Sequence, residues 1–427
     1  MATFILIGGF LFLVIIGVPI SFALGISSLI TTLYLNLDPQ IVFQKMVDGI
    51  DSFSLLAIPF FILAGQIMSE GGIAIRLINL GNLIVGRIRG GLAFANILAS
   101  MFFGGISGSS VADTSSIGSI LIPSMIKKGY DKDFAVGVTI TGSTQGIIIP
   151  PSHNAIIYSL AAGGAVSIGR LFLGGIIPGI LIGINLMIAS FIIATKRNYP
   201  KEEKMSLKQA LISLKDSLFA LGCALIIVGG VISGVFTATE SAAIAVIYAF
   251  VVTFFVYREI KIKEMPKILF QSISTISMVV LLIATASSFG WLLAYLQVPK
   301  MTTDFFLNVS QNPVVILLLI NVLLLFLGCI MDMAPLILIT TPILLPVVQK
   351  IGMDPVHFGI MLMLNLGIGL CTPPVGSTLF VGCAIGKIKI EEAIKGLLPF
   401  YIAMIVTLLL VTYIPSLSLF IPNMVMK

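Results

Sequence analysis

Two runs of equal length carry the chemistry this chain can offer. The first, residues 141–154, reads TGSTQGIIIPPSHN, and the second, residues 365–378, reads NLGIGLCTPPVGST. Neither proline of a Pro-Pro pair has an amide hydrogen to give, so a helix entering each run leaves two carbonyls without their donors. In the first run those are the carbonyls of Gly146 and Ile147, and in the second those of Gly369 and Leu370. Stripped main-chain oxygens beside the hydroxyls of Ser143, Thr144, Thr372 and Ser377 form an all-oxygen donor set suited to a hard alkali cation. A single Pro-Pro would ordinarily be a kink relieved by neighbouring helices. Two with the same surroundings point to at least two Na⁺ sites.

Near each run lies a Gly-rich break in another apolar stretch. Residues 103–116 read FGGISGSSVADTSS, where a half-helix starting near Ser110 turns its positive end toward Ser107 and Ser109, a setting that favours an anion such as a carboxylate. Residues 327–335 read LGCIMDMAP, with one acid and no hydroxyl, and suit a cation better. Acids within apolar stretches are functional candidates, which singles out Asp113 and Asp332; either could instead cap a half-helix. His153 and Asn154, just past the first Pro-Pro, are placed to meet a substrate or to line a wet cavity. Glu240, following Thr237, reads as a first-turn acid at a helix start.

The elements that position these residues must lie in a bilayer. Of 427 residues 58% are hydrophobic and 10% charged, which leaves too little polar surface for a soluble fold. Long apolar runs exclude an outer-membrane barrel, and the +6 charge is a topology signal rather than a nucleic-acid one. Cys223, Cys329, Cys371 and Cys383 read as small core side chains. Residues 1–17 lack a basic start and a cleavage motif, so a retained helix is expected. With no Walker A run, no His/Cys metal spacing and no third partner for Ser107 and His153, neither ATP hydrolysis nor an enzyme is expected.

Charged loops and Gly/Pro clusters delimit helices near 2–16, 19–36, 53–69, 134–164, 170–195, 217–236, 241–257, 270–297, 358–386 and 396–420. Stretches 91–126 and 313–349 are too long for one span and broken in the middle, so each is expected to be a re-entrant hairpin. With that assignment the segments 70–90, 127–133, 196–215, 258–267 and 387–395 share one side and hold 19 of the 24 Lys and Arg, which makes them cytoplasmic and both termini periplasmic.

A gapless shift of 223 residues lays Gly105 on Gly328, Pro123 on Pro346, Asp131 on Asp354, Gly146 on Gly369 and Pro150-Pro151 on Pro373-Pro374. The charge count gives the halves opposite orientations. Inverted repeats with broken helices in matching places are the mark of secondary transporters with a midplane site. The expected architecture is an all-α polytopic membrane protein with a first repeat at 1–195, a linker at 196–215 and a second repeat at 216–427. The amphipathic part of the linker, 205–215, is expected as an arm along the cytoplasmic interface.

At these residues the sequence resembles the large membrane subunit (DctM-like, M subunit) of tripartite ATP-independent periplasmic, or TRAP, transporters. The likeness rests on residues 58–65 (IPFFILAG), 107–113 (SGSSVAD), Pro150-Pro151-Ser152, 234–240 (GVFTATE) and 372–376 (TPPVG), and spans essentially the whole chain. It implies an elevator-type, Na⁺-driven importer of organic acids in the bacterial inner membrane. A separate small four-helix membrane subunit (Q type), a soluble periplasmic binding protein (P type) and no organic cofactor go with it. Carried over, the first tip and break make one Na⁺ site (Ser107, Ser110, Asp113, Gly142, Ser143, Thr144, Gly146, Ile147). The second make another (Gly328, Asp332, Gly367, Gly369, Leu370, Thr372, Gly376, Ser377). Ser107, Ser110 and Ser152 become carboxylate contacts, beside Ser109, His153 and Asn154. An unfused chain is similar to sialic-acid systems; a C4-dicarboxylate system and a stand-alone inverted-repeat dicarboxylate or ion transporter are the alternatives.

Overall fold

The computed structural model describes residues 1–201 and 207–426, and every regular element among them is helical. The first half runs α1 (Ala2–Ile15), α2 (Ile20–Tyr34), α3 (Gln40–Ile50), α4 (Ala57–Glu70) and α5 (Ile73–Val85). A hairpin follows, α6 (Gly91–Ser107) and α7 (Ser110–Lys127), then the broken pair α8 (Lys132–Gln145) and α9 (His153–Ala161), then α10 (Ile168–Lys196).

The second half repeats the plan. It comprises α11 (Leu207–Ile232), α12 (Ala238–Val251) with a π-helical extension to Val256, α13 (Met265–Tyr295) and α14 (Val298–Val309). Then come the hairpin α15 (Pro313–Gly328) and α16 (Met333–Lys350), the broken pair α17 (Pro355–Gly369) and α18 (Ser377–Gly386), α19 (Ile390–Tyr413) and α20 (Ser416–Val425). Seven helical segments among the described residues are long and apolar enough to cross a bilayer.

The repeat read from punctuation is also a repeat of packing. α7 lies on α18 and α16 lies on α9, so each hairpin's second helix meets the far arm of the other half's break. Likewise α6 packs on α8 as α15 does on α17, and α19 packs on α8 as α10 does on α17. Both functional runs therefore sit inside one body built from both halves. Large side chains fill it: Phe134, Tyr158, Phe172, Phe358 and Phe400 are fully buried.

Several boundaries differ from the sequence reading, each for a local reason. Segment 70–90 holds α5, whose Ile73, Ala74, Leu77, Ile78 and Gly81 form a buried stripe that packs on α6 and α11. At about 1.5 Å per residue α5 is near 20 Å long, too short to span. Its counterpart α14 and the short α3 were likewise not expected. The single helix placed at 396–420 is two, α19 and α20, because Pro415 cannot donate to a continuing ladder. Of the 205–215 strip, 205 and 206 lie outside the described residues and 207–215 are the opening turns of α11, not a separate arm.

Candidate functional site

The two breaks satisfy their stripped carbonyls differently from the sequence expectation. Ser152 Oγ donates to the Ile147 carbonyl at 2.5 Å. In the second break the Thr372 amide reaches Gly369 O at 2.9 Å and the Thr378 amide reaches Leu370 O at 3.2 Å. Three of the four oxygens thus already have a protein donor: Ser152 and Thr378 reach back from just past their Pro-Pro pairs, and Thr372 closes a tight turn just before the second pair. Only the Gly146 carbonyl has none among the described residues. The other three could meet an ion only through a second lone pair. Both Pro-Pro peptide bonds are cis.

Each hairpin crosses its own break backbone to backbone. A Cβ on Gly146 would stand 2.2 Å from Gly104 Cα, and one on Gly104 would stand 2.4 Å from Gly146 Cα. In the second half a Cβ on Gly369 would stand 2.6 Å from Gly328 Cα, while one on Gly328 would clear Gly369 Cα by 3.2 Å. Glycine is required here because the main chains themselves touch. The tips are then tied by polar contacts. Asn154 Nδ2 donates to Gly108 O at 3.1 Å, and the Val375 amide donates to Cys329 O at 3.0 Å.

Behind the first tip runs a buried hydroxyl chain whose protons can all be placed. Ser143 Oγ donates to Ile140 O at 2.7 Å and accepts from Thr114 at 2.8 Å, so Ser110, 2.7 Å away, must donate to it. Ser110 in turn accepts from Thr378 Oγ1 of the second half at 3.0 Å. Every hydroxyl in the chain has spent its proton inside the protein.

Asp113 has not been satisfied in this way. It is fully buried in the first turn of α7, and neither carboxylate oxygen has a hydrogen-bond partner among the described residues. The Ser100 hydroxyl, also fully buried, lies beside it without meeting hydrogen-bond geometry. A Cβ on Gly104 would come within 3.4 Å of Asp113 Oδ2, so the carboxylate abuts the Gly104–Gly146 crossing. A carboxylate buried with no donor is costly unless a cation or proton joins it. Asp113, Ser100 and the Gly146 carbonyl supply only oxygen and a negative charge, a donor set that fits a hard cation.

Comparison with known proteins gives the family and the fold. Residues 7–417 match the family model described as the tripartite ATP-independent periplasmic transporter, DctM component. The chain belongs to that family. Among relatives, YgiK of Salmonella typhimurium, itself described as uncharacterized, is 47% identical over 98% of this chain and 97% of its own. The sialic acid TRAP transporter large permease protein SiaM of Vibrio cholerae is 40% identical over 97% of both chains. The C4-dicarboxylate large permease protein DctM of Rhodobacter capsulatus is 36% identical over 99% of both. Among solved structures, the YdaH transporter of Alcanivorax borkumensis shares the fold at a TM-score of 0.65 and 14% identity, covering 87% of each chain. This TRAP large permease is therefore a transporter subunit and not an enzyme.

Within the TRAP permease, the residues singled out by sequence separate into two groups. Ser110, Ser143, Thr144, Ser152 and Thr372 have their hydroxyl protons committed to protein acceptors and hold the site's shape. Ser107, Ser109 and His153 are half-buried at the tip, where a ligand can meet them. Ser109 also caps α7 by accepting from the Ala112 amide at 3.3 Å. Gly142 packs near Ser100, and Gly367 faces Thr144, which brings the two breaks side by side.

Asp332 stands apart: it is exposed at the second tip, with Ser377 Oγ donating to it at 3.3 Å. A Cβ on Gly376 would be 2.8 Å from Thr372 O, so only glycine fits that turn. Ser100, Thr114 and Thr378 were missed as contributors. Ser100 lies one helical turn before Gly104, and that i, i+4 spacing was the available signal.

Proposed function

We propose that this TRAP large permease imports an organic acid with Na⁺ as the coupling ion, both hairpins and both breaks moving together as an elevator body. The observation that carries this reading is the orphaned, fully buried Asp113 carboxylate against the Gly104–Gly146 crossing. A cation arriving there neutralises the carboxylate and draws Ser100 and Gly146 toward it, which fixes the α6–α7 tip. The half-buried Ser107, Ser109 and His153 on that tip then present an ordered surface to a substrate carboxylate. A second Na⁺ at the second tip, using Asp332 and Ser377, completes the reading.

Sialic acid is the first substrate to test and a C4-dicarboxylate the second. The relatives named for these two acids are 40% and 36% identical, which supports the class of acid more than one member of it. "Tripartite" in the family's description supports two further components, a small four-helix Q-type membrane subunit and a soluble periplasmic binding protein. The charge count supports placing 70–90, 127–133, 196–215, 258–267 and 387–395 in the cytoplasm.

The test is uptake into liposomes holding the chain with its two partner components. Accumulation of the labelled acid under an inward Na⁺ gradient is expected, and undiminished uptake with choline in place of Na⁺ removes the coupling. Uptake without the binding protein would favour the stand-alone alternative.

A further inference from the structure

Apart from the breaks, the described residues form an outward-facing apolar groove with charge gathered at one end. It runs between α10 and α19, the helices that close the two repeats, and has a volume near 660 Å³. Its walls are apolar: Ile188 and Ile192 from α10 are 53% and 60% exposed, and Ile402 and Val406 from α19 are 66% and 45% exposed. The one polar pair on its floor is already closed, Asn185 Nδ2 donating to Thr407 Oγ1 at 2.7 Å.

Lys196, Arg197 and Lys395 stand at its mouth. Arg197 is occupied by Asp131 and Asp133, each at 2.9 Å, and these two carboxylates more than offset its charge. Lys196 and Lys395 are exposed and have no ion pair among the described residues. Glu391 and Glu392, exposed in the first turn of α19, make no ion pair with Lys395. Two exposed ammonium groups without an ion pair among the described residues therefore flank one apolar slot.

The dimensions suit one leaflet. Ile188 precedes Lys196 by eight residues, about 12 Å along α10, and Val406 follows Lys395 by eleven, about 16 Å along α19. That depth is near half the roughly 30 Å hydrocarbon core, with the ammonium groups where a phosphate would lie. Pro399, one turn past Lys395, has no amide hydrogen to give to the Lys395 carbonyl.

We infer that this groove is a binding site for one anionic phospholipid, its acyl chains along Ile188, Ile192, Ile402 and Val406 and its phosphate between Lys196 and Lys395. Because α10 and α19 come from opposite repeats, the lipid bridges the two halves on the face turned to the bilayer. The site does not depend on the transport reading, since neither lysine touches the tips or breaks.

Native mass spectrometry of the full chain in detergent, titrated with phosphatidylglycerol and separately with phosphatidylcholine, tests this. One phosphatidylglycerol should be held in preference to phosphatidylcholine. Lys196→Gln with Lys395→Gln should weaken its retention roughly thirtyfold. Ala403→Phe, which keeps both lysines and fills the slot, should also release it, and guards against misfolding of the double variant. Lys215→Gln with Lys263→Gln, removing equal charge elsewhere, should change nothing. Equal retention of the two lipids, phosphatidylglycerol retained by Ala403→Phe, or equal loss in the control pair would each overturn the site.

Discussion

The two hairpin tips share a backbone plan and differ in what their side chains do with it. At the first, Ser110, Thr114 and Ser143 form a closed hydroxyl chain around a buried, unpaired Asp113. At the positions 223 residues on stand Met333, Ile337 and Leu366, all buried, and the acid has moved to the exposed tip as Asp332. Duplicated main-chain geometry thus frames two chemically distinct sites. One is polar around a buried, unpaired charge; the other is apolar behind a charge at its surface.

The sharpest test of that contrast is the pair Asp113→Asn and Asp332→Asn. On the proposed Na⁺ coupling, Asp113→Asn should lower uptake at least about tenfold and remove any Na⁺-induced rise in melting temperature, because the buried charge proposed to hold the cation is gone. Asp332→Asn, at an exposed position, should keep most of the Na⁺-induced rise. Equal effects would erase the distinction drawn between the tips.

Next in size comes the crossing. Gly146→Ala should destabilise the chain by about 3 kcal/mol, since the new methyl meets main chain that cannot step aside. Gly328→Ala, with a 3.2 Å clearance, should cost about 1 kcal/mol. Melting in detergent reads both, and the reverse ranking would mean that the first crossing is not the tighter.

Ser143→Ala should cost about 2 kcal/mol, because Ser110 and Thr114 both lose their acceptor. Thr378→Val should cost about 1 kcal/mol, because only one bond is lost and shape is kept. Chemical denaturation compares the two, and a Thr378→Val loss as large as that of Ser143→Ala would show the inter-half bond to be the stronger member.

Much of this plan is legible in the sequence because backbone breaks leave fixed signatures. Pro150-Pro151 and Pro373-Pro374 end α8 and α17 as expected, and the Gly-rich runs near 105 and 328 end α6 and α15. What was not legible depends on partners distant in sequence. Nothing near Ile147 announces that Ser152 will turn back to cap it, and nothing near Ser110 points to Thr378, 268 residues away. The helices α5 and α14 escaped notice because Arg76, Lys300 and Asp304 make their segments read as loops, while their apolar stripes are too short to register as spans. Asp113 was visible as a candidate, but its lack of any donor is a property of the packed α6–α7–α8 body alone.

The contact of Gly104 with Gly146 also limits how closely the first hairpin can press on its break. Side chains can swing aside, but two abutting main chains have no rotamers to spend, so the separation of hairpin and break at this point is set by the backbone itself.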